Sequence, residues 1–523
     1  MADAVDLKSI VPKRRASSSL ALGILLILYY NEYMNVLVTG ATGYVGGRLI
    51  PKLLELGFHV RILARNPDRI KNRSWYSQVE IFTGDVLNKN SLHGLFQNID
   101  VAFYLIHSLS KGKNFNDADT LSANNFVDTA NEENLNRIIY LGGLAEGTDD
   151  LSEHLLSRQR TGEILRSSDI DVTEFRCGVI VGSGSISFEI IRNLTERLPI
   201  MICPKWVYIN TQPISIENVL EYLIHSINTH VPNNSILEIG GTDILSYGDM
   251  IRKYAMIRGL RRLLIPVPVL TPKLSSYWIH WTTPVSAQLT RPLVEGLKNE
   301  SIVHDEQAKV YFPQIALINY NDAVRLALSN LDDHAVATSW SDSLSSSNGQ
   351  DFPIESISMV FDNTFDINQV SGMVHDQKTI NINKKSVDIF KFLSTLGGQT
   401  GWLYGNFLWK IRGYIDLLFG GVGLRRGRRD PLVLNQGDAL DFWRIEKIVP
   451  DRLIRLKAEM KVPGKAWLQY EIIENDNDCT LVQTAFFAPK GLFGLLYWYG
   501  LYPIHRFIFR GLITAIKKRA LLF

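Results

Sequence analysis

Three glycines spaced three residues apart, Gly40, Gly43 and Gly46, lie between a short apolar run and a helix-like segment. Glycines in such a turn let the backbone approach a pyrophosphate without a Cβ in the way, and the helix that follows directs its first N–H groups at the anion. A strand, a glycine turn and a helix in this order predict a dinucleotide-binding turn rather than a turn without a ligand. Six residues of the turn are predicted to contact the cofactor: Gly40, Thr42, Gly43, Tyr44, Val45 and Gly46.

The residue that follows the second predicted strand bears on the choice of cofactor. This strand covers residues 60–64 and is followed by Arg65. In a dinucleotide-binding domain, an acidic residue at this place binds the ribose 2′-OH of NAD, whereas an arginine accommodates the 2′-phosphate of NADP. Arg65 therefore predicts NADP, with NAD as the alternative cofactor and a solvated surface position as the alternative role of the side chain.

Further candidate contacts follow the third and fourth predicted strands, residues 79–82 and 101–106. Ligands of open α/β sheets bind outside the carboxyl ends of the strands. His107 directly follows the fourth strand, so we predict that it faces the cofactor or the substrate, unless it is a hydrogen-bonded loop histidine. Five residues at these two strand ends are predicted cofactor contacts: Asp85, Val86, Leu105, Ile106 and His107.

The residues that would move a proton are less usual than the glycine turn. The fifth predicted strand, residues 137–141, ends in Gly142 and Gly143, which carry no hydroxyl group. The next helix contains His154 and Arg158, which are four residues apart and therefore on one helix face. A histidine could transfer a proton near neutral pH. We predict His154 as the candidate proton donor, and Arg158 either as its partner or as a contact with the ribose or phosphate of the cofactor.

The length and composition describe a globular protein of two or three domains. The chain has 523 residues and a net charge of only +2, which argues against nucleic acid as the main partner. Its three cysteines, Cys177, Cys203 and Cys479, are far apart and predict no metal site. A reducing, cytoplasmic location is the simplest interpretation, because disulfides are rare there. The sequence predicts no particular oligomeric state.

The first 33 residues differ from the rest of the chain. Three basic residues, 13–15, precede an apolar run of eleven residues, 20–30, whereas a helix needs about 20 residues to span a bilayer. No small-residue cleavage site follows the run, and Met34 stands directly before the first predicted strand. We predict either a dispensable extension, with translation starting at Met34, or a peripheral anchor at the inner face of the membrane.

Hydrophobic periodicity divides the rest of the chain into four parts. Residues 34–265 alternate short apolar runs with helical segments, which predicts an α/β domain with a Rossmann-like, doubly wound parallel sheet. Residues 266–337, rich in proline and tryptophan at their start, form an irregular stretch; a resemblance to extended short-chain dehydrogenases, in which this part covers the nicotinamide, implies a substrate lobe and docking segment. The polar stretch 338–354 is predicted to be a linker. Residues 355–523 contain period-two strands and a long apolar C-terminal segment, which predict an α+β domain.

A run of residues in the α/β part is similar to one bacterial family. The run covers residues 175–185 and is followed by Pro199, residues 204–206 and residues 211–214. Members of this family combine an atypical short-chain dehydrogenase domain, NmrA-like in its motifs, with a C-terminal domain that resembles polyketide-cyclase and START proteins. The resemblance extends from residue 34 to about residue 520, and it implies an NAD(P)-binding, oxidoreductase-like protein.

The resemblance also implies roles for single residues near the cofactor. It assigns the glycine turn, Arg65 and the region of His107 to cofactor binding, in agreement with the residue pattern. It assigns Asp85 to the edge of the adenine and Val86 to its face. The residue pattern alone also allows a second role for Asp85, as a cap before a helix.

Two features of the resemblance concern catalysis and the second domain. Active short-chain dehydrogenases carry a Tyr-x-x-x-Lys pair, in which the lysine lowers the pKa of the tyrosine that transfers the proton. In this chain His154 and Arg158 occupy those two positions, so the resemblance supplies no proton donor of the usual type. The C-terminal domain would adopt a helix-grip layout, with a strand meander wrapped around a long helix and an apolar ligand between them.

These observations predict a protein that binds NADP, or less specifically NAD(P), and that acts on or carries an apolar small molecule such as a quinone, an isoprenoid or a polyketide-like compound. The alternatives are a non-catalytic NADP sensor, a lipid or quinone carrier, and an accessory subunit of a membrane complex. Peripheral association with a membrane is compatible with each alternative.

Overall fold

The computed structural model of the chain describes residues 34–107 except 68, 69 and 72, residues 115–144, 151–267 and 294–332, and residues 374–522 except 399, 420, 426, 427, 429–433, 476, 477 and 490. The predicted extension 1–33, the linker 338–354 and the start of the predicted C-terminal domain, 355–373, lie outside the described residues. So do residues 268–293 of the predicted substrate lobe.

A parallel sheet of seven strands forms the centre of the N-terminal part. The strands of this part are β1 (Asn35–Val38), β2 (His59–Ala64), β3 (Glu80–Thr83), β4 (Val101–Tyr104), β5 (Arg137–Gly143), β6 (Asp171–Cys177), β7 (Ile180–Val181), β8 (Ile200–Pro204), β9 (Asn210–Thr211), β10 (Ile214–Ser215), β11 (Ile236–Ile239), β12 (Leu245–Ser246) and β13 (Leu263–Val267). The sheet has the order β11-β6-β5-β4-β1-β2-β3, and each neighbouring pair is parallel. The predicted Rossmann-like, doubly wound sheet is confirmed.

Helices connect these strands. They are α1 (Gly46–Glu55), α2 (Phe115–Glu132), α3 (Glu153–Arg166), α4 (Ile186–Arg197), α5 (Ile216–His225), α6 (Tyr247–Ile257), α7 (Gln307–Tyr311) and α8 (Tyr320–Asp332). Serine caps define several starts: the Ser152 hydroxyl accepts a hydrogen bond from the Leu155 N–H at the start of α3, and Ser246 and Asp249 form a capping box at α6.

The ends of the elements differ from the predictions by one or two residues. Strand β4 ends at Tyr104, so Leu105 and Ile106 belong to the loop that follows it. Helix α1 begins at Gly46, because the residues before it continue the glycine turn. All four residues of β4 are buried, as expected for a parallel strand covered on both faces. Both differences lengthen the loops at the carboxyl edge of the sheet.

A second hydrophobic cluster packs helices α4, α6 and α8 with the parallel strand pair β8 and β13. Its buried residues include Phe188, Tyr254, Leu264 and Tyr320. The predicted domain boundary between residues 265 and 266 therefore falls inside β13. The lobe formed by this cluster contains residues from before and after that boundary. The chain leaves the central sheet after β6, returns to it for β11 and leaves again, which local periodicity does not reveal.

Within the described residues, the C-terminal part forms a separate antiparallel sheet with three α-helices and a short 3-10 helix, Gly423–Arg425. Its elements are β14 (Val374–Ile382), α9 (Ser386–Leu393), α10 (Asn406–Leu418), β15 (Ala439–Leu440), β16 (Trp443–Val449), β17 (Leu453–Ala458), β18 (Gly464–Glu474), β19 (Cys479–Pro489) and α11 (Gly491–Ala520). The strand order is β14-β19-β18-β17-β16-β15. The apolar residues Ile508, Leu512 and Ile516 of α11 pack on the sheet. The predicted α+β class agrees with this arrangement.

Three general properties hold for the part of the chain that the structure describes. None of its helices has the length and apolar composition needed to cross a membrane. Within it, no group of three or more His, Cys, Asp or Glu side chains is arranged to hold a metal ion. The three cysteines are buried and form no disulfide.

Candidate cofactor and active site

A cavity of about 490 Å³ lies at the carboxyl edge of the parallel sheet. It opens where β1 and β4 are neighbours, which is the point at which the strand order reverses and at which open α/β sheets bind ligands. All twelve predicted cofactor contacts and both predicted catalytic residues line this cavity. The structure therefore brings the predicted residues together, and their individual roles stay predictions.

The glycine turn approaches the neighbouring backbone too closely for other residue types. Gly40 has a φ of 71°, and a Cβ built on it would lie 2.6 Å from the carbonyl oxygen of Leu105. A Cβ on Gly46 would lie under 3.0 Å from the Gly40 oxygen. Thr39 fixes the turn to β4, because its hydroxyl donates to the Phe103 oxygen at 2.9 Å and accepts from the Leu105 N–H at 3.1 Å. This tight turn is a cradle that fits a pyrophosphate.

The start of helix α1 completes the cradle. Its N-cap residue is Val45, and no side chain caps this end of the helix. A helix N-terminus carries a partial positive charge and directs N–H groups outward, which suits a phosphate oxygen. The turn and the helix start line the same cavity, as expected for a bound dinucleotide.

The predicted adenosine contacts Arg65, Asp85 and Val86 line the cavity beyond the ends of β2 and β3. Arg65 is exposed and directly follows β2, so its guanidinium is accessible to a 2′-phosphate. Asp85 forms a local turn: its Oδ1 accepts from the Leu87 N–H at 3.1 Å, and its own N–H donates to the Ser91 hydroxyl at 2.9 Å. The short 3-10 helix that follows, Lys89–Leu92, has Asn88 as its N-cap and no side-chain cap, so Asp85 stabilises a turn and does not cap a helix. Val86, within this turn, is buried and lines the cavity.

His107 is held by a carboxylate that the sequence did not reveal. The His107 Nδ1 lies 3.1 Å from the Asp119 Oδ2, which also accepts a hydrogen bond from the Ser157 hydroxyl at 2.9 Å. Asp119 is only 4% exposed. A carboxylate accepts hydrogen bonds, so the Nδ1 of a neutral His107 carries the proton and its Nε2 is an acceptor. One sequence feature could have revealed this carboxylate: Asp119 lies on the same helix face as Ala123 and Phe126, which are buried. An acidic residue on a buried helix face needs a polar partner.

His154 packs beside His107, with ring centroids 4.8 Å apart and an angle of 38° between the planes. Burial lowers the pKa of His154 well below the usual value, and the neighbouring His107 and Arg158 lower it further. Burial also lowers the pKa of His107, although the hydrogen bond to Asp119 acts in the opposite direction. Burial therefore opposes the cationic form of His154, and the catalytic role of this residue stays a prediction. Both imidazoles are neutral, because the site disfavours their cationic forms.

Two ring nitrogens of this pair are buried and have no hydrogen-bond partner within the described chain: His107 Nε2 and His154 Nδ1. A buried polar atom without a partner costs free energy, so such atoms point to a ligand. Both histidines line the cavity. The pair can therefore hold a hydroxyl or carbonyl group of a bound molecule.

Arg158 joins the carboxyl ends of β4 and β5. Its guanidinium donates to the carbonyl oxygens of Leu141 and Ile106, and it stacks 5.0 Å from the centre of the Tyr140 ring. A Cβ on Gly143 would lie 3.1 Å from the Leu155 side chain and 3.8 Å from that of Arg158. The end of β5 at Gly143 is thus closely packed against α3. Arg158 supplies a fixed positive charge beside the two histidines.

The lobe contributes cavity residues that the sequence did not predict. Tyr247, at the start of α6, is hydrogen-bonded to Ser187 of α4, and burial raises the pKa of the tyrosine. Burial raises the pKa of Cys177 to about 12, so its thiol stays protonated and is no nucleophile. The apolar residues that line this side of the cavity include Leu144, Leu155, Val179, Ile180, Ile186 and Leu297, and Ser301 also lines it. No local sequence signal marks residues that meet only in the folded chain.

Two family models match the chain. A model described as "NAD(P)H-binding" matches residues 40–197, and one described as "Protein of unknown function (DUF2867)" matches residues 373–512. The first range contains all fourteen predicted site residues. The N-terminal domain is therefore an NAD(P)-binding domain. A nicotinamide dinucleotide is the class of cofactor that it fits.

Similar proteins are known from sequence and from structure. Ceramide reductase of Caulobacter vibrioides is 25% identical over 236 residues, which are 45% of this chain and 73% of that protein. Photosystem II assembly factor Ycf39 of Cyanophora paradoxa is 22% identical over 293 residues, which are 53% of this chain and 86% of that protein. A nucleoside-diphosphate-sugar epimerase of Staphylococcus aureus is 16% identical with a TM-score of 0.46, and the match covers 56% of this chain and 100% of the epimerase.

Proposed function

We propose that the N-terminal domain binds NADPH and reduces a carbonyl group of an apolar small molecule, such as a quinone, an isoprenoid or a polyketide-like compound. The observation that carries the proposal is that the glycine turn, the histidine pair and an apolar wall line one cavity. The turn fits the pyrophosphate, the histidine pair has buried nitrogens that can hold an oxygen atom, and the wall suits an apolar molecule.

A bound reduced nicotinamide supplies a hydride, with its electron pair, to the carbonyl carbon, while the oxygen of the carbonyl takes up a proton. The residues of the chain would hold that oxygen. A neutral imidazole can polarise a carbonyl by donating a hydrogen bond, and it needs no protonation near neutral pH to do so. We assign this role to His154, with Asp119 fixing His107 beside it. The charge of Arg158 favours the negative charge that develops on the oxygen.

The proposed preference for NADPH leads to a prediction about Arg65. Replacing Arg65 with glutamate should weaken NADPH binding roughly 10- to 150-fold, because a hydrogen bond to a charged group contributes about 1.5–3 kcal/mol. NADH binding should change little, since a glutamate can accept from the ribose 2′-OH. Fluorescence titration of both cofactors measures the two dissociation constants. The matched control is Arg261→Glu, an exposed arginine outside the cavity. Equal losses for NADPH and NADH would overturn the NADP assignment.

The proposed role of His154 is tested by His154→Phe, which keeps a ring beside His107. The rate constant kcat for NADPH oxidation with a responsive quinone or aldehyde should fall by about 10²- to 10³-fold, because removing one hydrogen-bond donor to a developing oxyanion costs that much. The dissociation constant of NADPH should stay close to its original value. The control is His93→Phe, since the His93 side chain is 89% exposed. Unchanged turnover in His154→Phe would remove this residue from the mechanism.

A second candidate function is NADP binding without turnover, as in a sensor or carrier. Two observations favour it. Gly142 and Gly143 leave the end of β5 without a hydroxyl group. The guanidinium of Arg158 already donates hydrogen bonds to two backbone carbonyl oxygens. The same oxidation assay separates the two functions. NADPH that binds but is never oxidised across a panel of aldehydes and quinones would favour the sensor or carrier.

We also propose that the C-terminal domain holds an apolar ligand, as its resemblance to START and polyketide-cyclase domains implies. Support comes from the long helix α11 against an antiparallel sheet. The buried polar atoms of this domain that have no hydrogen-bond partner in the described part of the chain include Tyr470 Oη, Gln483 Oε1 and His505 Nδ1. Mass spectrometry of small molecules that co-purify with the protein tests this proposal.

A further inference from the structure

Two helices of the C-terminal domain present apolar side chains to solvent. On α10, Phe407, Ile411, Tyr414 and Leu418 are each more than half exposed. Their spacing of three or four residues puts them on one face of the helix. A soluble surface rarely carries so many large apolar side chains in one row. This row therefore needs a partner.

Helix α11 carries a similar row. Phe493, Leu496 and Phe507 are each more than half exposed, and they are separated by three and eleven residues, which correspond to about one and three helical turns. They therefore share a face. The opposite side of α11, which contains Leu512 and Ile516, is buried in the core of the domain.

The two helices are in contact near Phe507. The ring of Tyr404, just before α10, lies 5.4 Å from the ring of Phe507, and Trp409 of α10 lies 6.4 Å from Phe509 of α11. The start of α10 is thus packed against the middle of α11. Here we call the exposed residues Phe407, Ile411, Tyr414, Leu418, Phe493, Leu496 and Phe507 the apolar face.

The exposed charged side chains that the structure describes on α10 and α11 all have one sign. The thirty residues of α11 include no Asp or Glu. The one acidic residue of α10, Asp416, is buried and accepts hydrogen bonds from the N–H groups of Gly423 and Lys461. The exposed charges on the two helices are cationic, and they include Lys410, Arg506, Arg510 and Lys518. Arg510 and Lys518 follow Phe507 by three and eleven residues and lie on the same side of α11.

We propose that the apolar face docks on the surface of a membrane that contains anionic lipid. Large apolar side chains beside basic residues, on helices that lie flat, are the pattern of interfacial membrane binding. Cationic side chains near the surface attract anionic headgroups. A second copy of the chain suits the face less well, because a symmetric contact would place these cationic residues against one another.

This inference goes beyond the proposed function, and its test needs neither cofactor nor substrate. The full-length protein is sedimented with vesicles of phosphatidylcholine alone and of phosphatidylcholine mixed with phosphatidylglycerol. It should sediment with the mixed vesicles, and less so at high salt. The double variant Arg506→Gln/Arg510→Gln should bind them about 30-fold more weakly, since each cationic side chain contributes roughly fivefold.

The apolar contribution is tested by Phe407→Ser/Leu418→Ser, which should lose at least about tenfold in binding for each side chain. The matched control is Val310→Ser, an exposed apolar residue of the N-terminal domain, which should bind like the unmodified protein. The proposal is overturned if the protein stays in the supernatant with both vesicle types, or if Phe407→Ser/Leu418→Ser binds normally. Analytical ultracentrifugation tests the alternative occupant, a second copy of the chain. The proposal is also overturned if the unmodified protein is a dimer and these substitutions abolish the dimer while they leave vesicle binding intact.

Discussion

Replacing Gly46 with alanine is expected to weaken NADPH binding by roughly 5- to 150-fold. The added Cβ would lie under 3.0 Å from the Gly40 oxygen, which is a backbone atom that cannot rotate away. Such overpacking costs about 1–3 kcal/mol, and relief of the strain moves the turn away from the position that receives the pyrophosphate. Titration with NADPH measures the loss, and NADH should show a loss of the same size, because both cofactors share the pyrophosphate.

The control for this prediction is Gly500→Ala in α11, where a Cβ would meet no atom within 4 Å. Alanine also favours a helix over glycine by about 1 kcal/mol, so this variant should be as stable as the unmodified protein and should bind NADPH equally well. Circular dichroism confirms that Gly46→Ala is folded. A folded Gly46→Ala protein with unchanged NADPH affinity would show that the turn is not the pyrophosphate site.

Replacing Glu174 with alanine is expected to lower the free energy of unfolding of the N-terminal domain by about 3–5 kcal/mol. Glu174 lies in β6, is fully buried, and forms ion pairs with Arg166 of α3 and with Arg176 at 2.6 Å. Removing the carboxylate would leave two largely buried guanidinium groups without their counter-charge. Urea unfolding followed by circular dichroism measures the change.

An exposed ion pair provides the comparison for Glu174. Glu306 and Lys309 lie 2.6 Å apart, but their side chains are largely exposed. Glu306→Ala should therefore cost less than about 1 kcal/mol, because water screens such a pair. Losses of equal size in Glu174→Ala and Glu306→Ala would contradict the assignment of Glu174 as a buried electrostatic anchor of α3.

The cofactor side of the site could be predicted from the sequence because its signals are local. The glycine turn is one continuous stretch, and Arg65 and His107 each directly follow a strand that an apolar run marks. In a parallel sheet the carboxyl ends of the strands meet at one edge, so local patterns were enough to place these residues together.

The catalytic side could not be predicted in the same way, because its properties arise from tertiary contacts. Asp119 is twelve residues from His107 and reaches it only through the packing of α2. Tyr247 and Ser187 meet only in the lobe, whose chain crosses the predicted division at residues 265 and 266. The low pKa of His154 results from burial, which residue spacing does not show.

The most direct test of the account is a fluorescence titration of the purified full-length protein with NADPH and with NADH. The account predicts saturable binding of NADPH, with a weaker affinity for NADH because Arg65 follows β2. Excess NADP⁺ should displace the bound NADPH, since both occupy the cavity at the glycine turn. Absence of measurable affinity for either nicotinamide dinucleotide would contradict the central claim that this cavity is a cofactor site.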